Sequence, residues 1–146
     1  MVTSENLSTA RERLETAYRR TTYRVSTASG PVDIRIGVRN AALDRILDQH
    51  RISEWIFVTA SNPGSRVLLE HENARRNAVL EQMLADAEWQ YLHASGVPDE
   101  SGWQPERSFF VFGMTKPDAI AVAKRWDQWA IVSGARDSVS ELVWVD

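Results

Sequence analysis

Four polar residues able to hold a ligand, Thr59, Asn62, Asn73 and Arg76, fall in one stretch, FVTASNPGSRVLLEHENARRNAVLEQML (57–84). An arginine pairs in two-pronged fashion with carboxylate or phosphate. An asparagine amide both donates and accepts. The backbone amides of a turn and a helix N-terminus favour an anion. The chemistry expected here is capture of a small anion, a nucleotide or another phosphate-bearing metabolite. Arg76 would pair with the charge, while Asn62 and Asn73 would fix the turn and orient the ligand. Glu106 and Ser108, at the entry to a second apolar segment, and Gln128, just before a third, would add polar contacts. Glu106 or Glu72 would serve as acid or base if the domain is an enzyme. The competing account is structural: Asn73 and Arg76 only lace the Asn62-Pro63-Gly64 turn to the helix.

The spacing brings these residues together. Trp55 to Ala60 reads as a buried strand, Ser61 to Ser65 as a polar turn, and about Leu69 to Ala87 as a long helix. Strand, turn and helix are how α/β proteins place a site. At about 100° per residue, Leu69, Asn73, Arg76, Leu80, Met83, Leu84 and Ala87 share one stripe of that helix. Its lower part is ordinary core. Asn73 and Arg76 interrupt the upper part and need partners, because an unsatisfied buried polar group costs about 1–3 kcal/mol.

The remaining elements follow from periodicity and turn residues. Leu7 to Arg20 predicts a helix capped by Ser8 or Thr9. Thr21 to Thr27 and Val32 to Val38 predict a hairpin around Ala28-Ser29-Gly30-Pro31. A short helix over Ala41 to Gln49, capped by Asn40, precedes the first inner strand. Glu88 to Ala94 alternates as a strand, and Ser95 to Arg107, with its glycines and prolines, reads as a long loop carrying Trp103. Ser108 to Gly113 is a second inner strand, Thr115 caps a helix with Pro117 in its first turn, and Trp129 to Ser133 and Val139 to Val145 close the chain as strands. The order is α-β-β-α-β-α-β-β-α-β-β. It predicts an α/β (mixed α+β) fold: a single domain over residues 1–146, with a mixed β-sheet and helices packed on it.

Composition narrows the function classes. The 146 residues are 43% hydrophobic and 25% charged, as in ordinary globular chains. The formal net charge of −3 speaks against broad nucleic-acid binding. No apolar run is long enough for a membrane helix, so no membrane association is expected. Without cysteine there is no disulfide framework. A cytoplasmic protein of bacterial or phage-like source fits these features. His50, His71 and His93 are too scattered to predict a metal site. No phosphate loop, dinucleotide fingerprint, nucleophile elbow or zinc-protease motif is present, so no cofactor is expected. Six tryptophans are many for this length. Trp89, Trp103 and Trp144, the last on an edge strand, raise a second reading: a non-enzymatic module for a protein partner in stress or phage defence, with homodimer formation through that edge.

Five segments carry a resemblance: AYRRTTYRV (17–25), VTASNPGS (58–65), ENARRNAVL (72–80), PERSFFVFG (105–113) and DQWAIV (127–132). Together they resemble the bacterial DUF3293 domain family, of unknown function. The resemblance carries over Tyr18, Thr21, Tyr23, Thr59, Asn62, Pro63, Glu72, Asn73, Arg76, Glu106, Ser108 and Gln128 as motif positions. The polar positions singled out above, taken together with these motif positions, give the expected ligand-binding set Tyr23, Thr59, Asn62, Asn73, Arg76, Glu106, Ser108 and Gln128. Ser61, Leu69 and Trp129 depart from the family pattern, where a bulky residue, a capping serine and a small polar residue are more usual. The resemblance implies no particular activity.

Overall fold

The computed structural model describes residues 4–100, 102 and 104–145, so Trp103 lies outside the described residues. The elements are α1 (Ser4–Arg19), β1 (Thr21–Thr27), β2 (Gly30–Ile34), α2 (Ala41–His50), β3 (Glu54–Val58), a 3-10 turn (Pro63–Ser65), α3 (Glu70–Asp86), β4 (Tyr91–Pro98), β5 (Glu106–Phe112), α4 (Lys116–Arg125), β6 (Ala130–Ala135) and β7 (Glu141–Trp144). Their order is the expected one. Asn40 caps α2 by accepting from Leu43 N (3.0 Å), and Thr115 caps α4 by accepting from Asp118 N (3.4 Å).

The strands form one sheet in the order β2-β1-β4-β5-β3-β6-β7. Every neighbouring pair in it is antiparallel. A single parallel bridge, Ile36 to Ser140, links the segments that follow β2 and precede β7. There Gly37 N donates to Ser140 O (2.8 Å) and Ser140 Oγ donates to Arg35 O (2.5 Å). These bonds join the two ends of the sheet, so it curls like an incompletely closed barrel. The curl also shows in ring packing. Tyr23 on β1 and Phe57 on β3 are three strand positions apart, roughly 14 Å in a flat sheet, yet their ring centroids are 5.1 Å apart.

Alternation along the central strands fills both faces. Trp55, Phe57, Phe110 and Phe112 point into the curl, where Leu43 and Leu47 of α2 join Tyr23, Val25, Ile34 and Val132. Ile56, Val58, Phe109 and Val111 point outward under Leu80 and Leu84 of α3 and Ala119 and Ala123 of α4. β3 and β5 are therefore covered on both sides, as their unbroken apolar runs predict. Gly134 faces Trp55 across β3 and β6, and the indole occupies the space a Cβ would need.

The largest departure from expectation is β4. It begins three residues later than predicted and runs on to Pro98. Trp89 is not a strand residue: its N–H donates to Leu84 O (2.9 Å) after a left-handed Glu88, and its ring packs on the outer core. Ser95, Gly96 and Pro98 look like loop residues, but β1 and β5 pair with Ser95 and Gly96 on both sides, and β1 pairs with Pro98. Tertiary pairing outweighs their weak strand preference. The connection to β5 is correspondingly shorter than expected.

Candidate functional site

The polar turn after β3 is held by an amide network. Asn62 adopts a left-handed backbone (φ 49°), which asparagine tolerates better than most residues. Gly64 and Ser65 also have positive φ, both 60°. Asn73 on α3 accepts from Asn62 N (2.9 Å) and donates to Asn62 Oδ1 (2.8 Å). Leu68 N donates to the same oxygen (2.9 Å). The two donors on Oδ1 fix the orientation of the Asn62 amide, and its nitrogen donates to Glu106 Oε2 (2.6 Å).

One turn further along α3, Asn77 is fully buried. It accepts from Ala60 N (2.9 Å) and donates to Ser61 Oγ (2.8 Å) and Asn73 O (3.0 Å). Arg76 donates through Nε to Ala60 O (2.6 Å) and through Nη2 to Trp126 O (2.7 Å), with its guanidinium over the Trp126 ring at 5.3 Å. Gln128 Nε2 donates to Ser61 O (2.9 Å) and Trp126 O (3.2 Å).

In front of this network, inside the curl, lies a cavity of about 430 Å³. Tyr23, Thr59, Asn62, Glu106, Ser108 and Gln128 of the expected set line it. Tyr23, Phe57, Val132 and Leu142 add apolar lining from the inner core. Asn73 lines only a second, smaller cavity of about 260 Å³, on the other side of the Asn62–Glu106 pair. Arg76 lines neither. No arginine, lysine or histidine lines the larger cavity among the described residues.

The expected anion clamp meets two physical obstacles. The Arg76 guanidinium turns its Nε and Nη2 to backbone carbonyls and lines neither cavity. The turn's amides are also spent: Ala60 N on Asn77, Ser61 N on Thr59 Oγ1, Gly64 N on Asp127 O, and Ser65 N on Asn62 O. Glu70 and Glu72 already complement the positive end of α3.

The electrostatics centre on Glu106. Burial pushes its carboxyl above the ordinary range, and the Asn62 amide draws it only part of the way back. Its Oε1 receives no hydrogen bond from any described residue. Burial, reinforced by Glu106, pushes the Tyr18 phenol up to about 12, with the Ser65 hydroxyl acting in the opposite sense. Burial raises Tyr23 as well, followed by the influence of Tyr18. Tyr23 donates to Tyr18 O (2.9 Å), which locks the end of α1 over the cavity. Thr21 Oγ1 does the same to Ala17 O (2.8 Å).

Tyr18, Thr21, Ser65 and Gln104 line the larger cavity without having been in the expected binding set. The signal for Tyr18 and Thr21 was present in the AYRRTTYRV segment. Asn77 lies outside the expected set, although its spacing, four residues after Asn73 and three before Leu80, puts it on the same helical face. Trp89 is half-buried in the outer core, and Trp144 packs edge-on against Tyr18 at 6.0 Å with Arg11 over its ring at 4.6 Å. Neither contributes an exposed tryptophan patch; Trp129, 43% exposed at the cavity wall, is the solvent-facing one among the described residues. No helix among the described residues is long and apolar enough to cross a membrane.

No curated protein and no solved structure matches the chain. A family model described as "Protein of unknown function (DUF3293)" matches residues 58–131, just over half of the chain. The matched span holds the whole amide network, Glu106, Ser108 and Gln128, while Tyr18 and Tyr23 precede it. On that match the chain belongs to the DUF3293 family.

Proposed function

We propose that this domain binds a small, flat, uncharged and largely apolar molecule with one hydrogen-bonding edge. The observation that carries the reading is the cavity inside the curled sheet: about 430 Å³, walled by aromatic and aliphatic side chains, with Glu106 and Asn62 at one side and no cationic side chain among its described lining residues. Cavities of this size and mixed lining suit drug-sized or smaller molecules. A desolvated carboxyl repels an anion and welcomes an N–H or O–H donor. An uncharged heterocycle thus fits better than the nucleotide or phosphate ligand that the residue types alone suggest. In this reading Asn73 and Arg76 hold the wall, while Tyr23, Thr59, Ser108 and Gln128 shape it.

Calorimetric titration with benzimidazole and, separately, inorganic phosphate tests this. Benzimidazole is expected to bind with Kd between about 10 μM and 1 mM, a range its few heavy atoms allow, and phosphate is expected to give no signal. Ala17→Trp, on the exposed side of α1 at the cavity wall, is expected to abolish benzimidazole binding by filling the space. Phosphate binding without benzimidazole binding, or benzimidazole binding unaltered by Ala17→Trp, would overturn the reading.

A further inference from the structure

Glu106 is costly for what it does structurally. Asn62 is already fixed by four other hydrogen bonds, two with Asn73 and one each with Leu68 N and Ser65 N. A glutamine at 106 would accept the same Asn62 bond without bringing an ionisable group out of water. What the carboxyl adds over an amide is a proton that can be taken up and given back. Its Oε2 is pinned at 2.6 Å by Asn62, and Asn62 cannot turn, so Oε1 has a fixed aim beside the cavity. Preorganisation of this kind is what general acid–base catalysis needs.

The neighbours of Glu106 fit that role. From α1 comes the Tyr18 phenol, and from β1 the Tyr23 phenol, whose proton is committed to Tyr18 O. On β5 itself, Ser108 Oγ donates to the Glu106 carbonyl (3.1 Å), and Arg107 is held by Glu81 at 2.9 Å. From β3 and the turn come Thr59, committed to Arg107 O, and Asn62; from the start of α3, Glu70 lines the smaller cavity behind. From the segment before β6, Gln128 spends its amide protons on Ser61 O and Trp126 O. Tyr18 is the phenol left beside the carboxyl, with the Ser65 hydroxyl as its partner. Burial raises the basicity of the Glu106 carboxylate towards the working range of a general base.

We propose that Glu106 is the acid–base group of a catalytic cavity that moves a proton within a bound carbon acid. The proposal rests on the ligand-binding reading above. In the step, the Glu106 carboxylate takes a proton from a carbon next to an electron-withdrawing group. The C–H electron pair moves into the adjacent bond and onto an electronegative atom, where the Tyr18 hydroxyl meets the growing charge. The Glu106 carboxylic acid then returns the proton to another atom of the same molecule. The product is an isomer, so atoms and electrons balance without a co-reactant.

The probe is 5-nitrobenzisoxazole, a flat uncharged carbon acid. Removal of its ring C–H proton forms a C≡N bond, breaks the N–O bond and leaves a coloured phenoxide, with the proton passing on to water. The wild-type protein is expected to accelerate this at least about 100-fold over Glu106→Gln at pH 8, the scale of general-base catalysis. Its rate is expected to rise with pH through a midpoint above the ordinary carboxyl value near 4.5. Glu106→Asp, which keeps the carboxyl but withdraws it, is expected to show a lower rate that still rises with pH, and it serves if the glutamine variant does not fold, a rate equal to wild type then overturning the proposal. An equal rate in wild type and folded Glu106→Gln, or a pH-independent wild-type rate, overturns the proposal. Benzimidazole titration separates the two readings: binding without Glu106-dependent turnover removes only the catalysis, whereas no binding removes the cavity as a ligand site and the catalysis with it.

Discussion

At the scale of single residues, the carboxyl of Glu106 and the amide of Asn77 make opposite predictions about stability. Glu106 is raised by burial, so the native state holds its proton more tightly than the unfolded chain does. Below the ordinary value near 4.5 both states are protonated and no penalty applies. As pH rises through the higher native value, the buried carboxylate costs stability. Glu106→Gln is therefore expected to be more stable than wild type at pH 8, with the difference vanishing near pH 4, as read by urea denaturation at a series of pH values. A variant less stable at every pH would mean that the carboxylate is a net anchor of the turn. Asn77 acts the other way. Asn77→Ala leaves Ala60 N–H without its partner in a buried place and Ser61 Oγ with only its long bond to Arg107 O (3.4 Å). It is expected to cost about 2–4 kcal/mol by the same assay. A loss under about 0.5 kcal/mol would show that water replaces the amide. The sequence made the polar turn and most of its participants legible because Asn, Pro and Gly have few other uses in such a run. It left open whether Asn73 laces the Asn62 turn to the helix or faces a ligand, since side-chain direction on a helix is decided by what packs against it; its amide is spent on Asn62.

At the scale of elements, α3 is a clamp as well as a cover. Its apolar stripe packs on the outside of β3 and β5, and its polar end ties the β3 exit to the α4 exit through one guanidinium. Ala60 O and Trp126 O are far apart in sequence, and Arg76 brings them together. Arg76→Ala is expected to lower stability by about 2–4 kcal/mol, because two charge-assisted bonds and the packing on Trp126 go together. Benzimidazole affinity measured well below the melting temperature is expected to change less than about threefold. A folded variant with unaltered stability and lost binding would return Arg76 to the ligand. Element existence and order were readable throughout from periodicity, caps and turn residues. Boundaries were not, and β4 shows why: Ser95, Gly96 and Pro98 have little strand preference of their own and are held extended by pairing, the first two with β1 and β5 and Pro98 with β1.

At the scale of the whole molecule, curl makes the cavity, and curl was the least legible property of the sequence. Strand alternation tells which side chains share a face, yet the pairing order and the meeting of Ile36 with Ser140 depend on contacts between residues far apart in the chain. Only when the sheet rolls up do Tyr18 and Tyr23, from the first part of the chain, come to line one cavity with Gln128, from the last. The arrangement has a consequence for unfolding. β1 and β2 are first in sequence, β6 and β7 last, and they are joined both through the central strands and through the Gly37–Ser140 bond. Neither end of the chain has a core of its own: the inner core takes residues from Tyr23 to Val132, and the outer from Ile56 to Val145. One cooperative transition is therefore expected for the whole chain, with tryptophan fluorescence and far-ultraviolet circular dichroism giving coincident urea curves. Ser140→Ala, which deletes the hydroxyl bonded to Arg35 O, is expected to shift both curves together by about 1 kcal/mol. It is also expected to speed exchange of the Gly37 amide, because loosening the seam frees the bond next to it. Two separated transitions, or a Ser140→Ala shift seen by only one probe, would mean that the two ends unfold independently and that the seam rests on the curl without holding it.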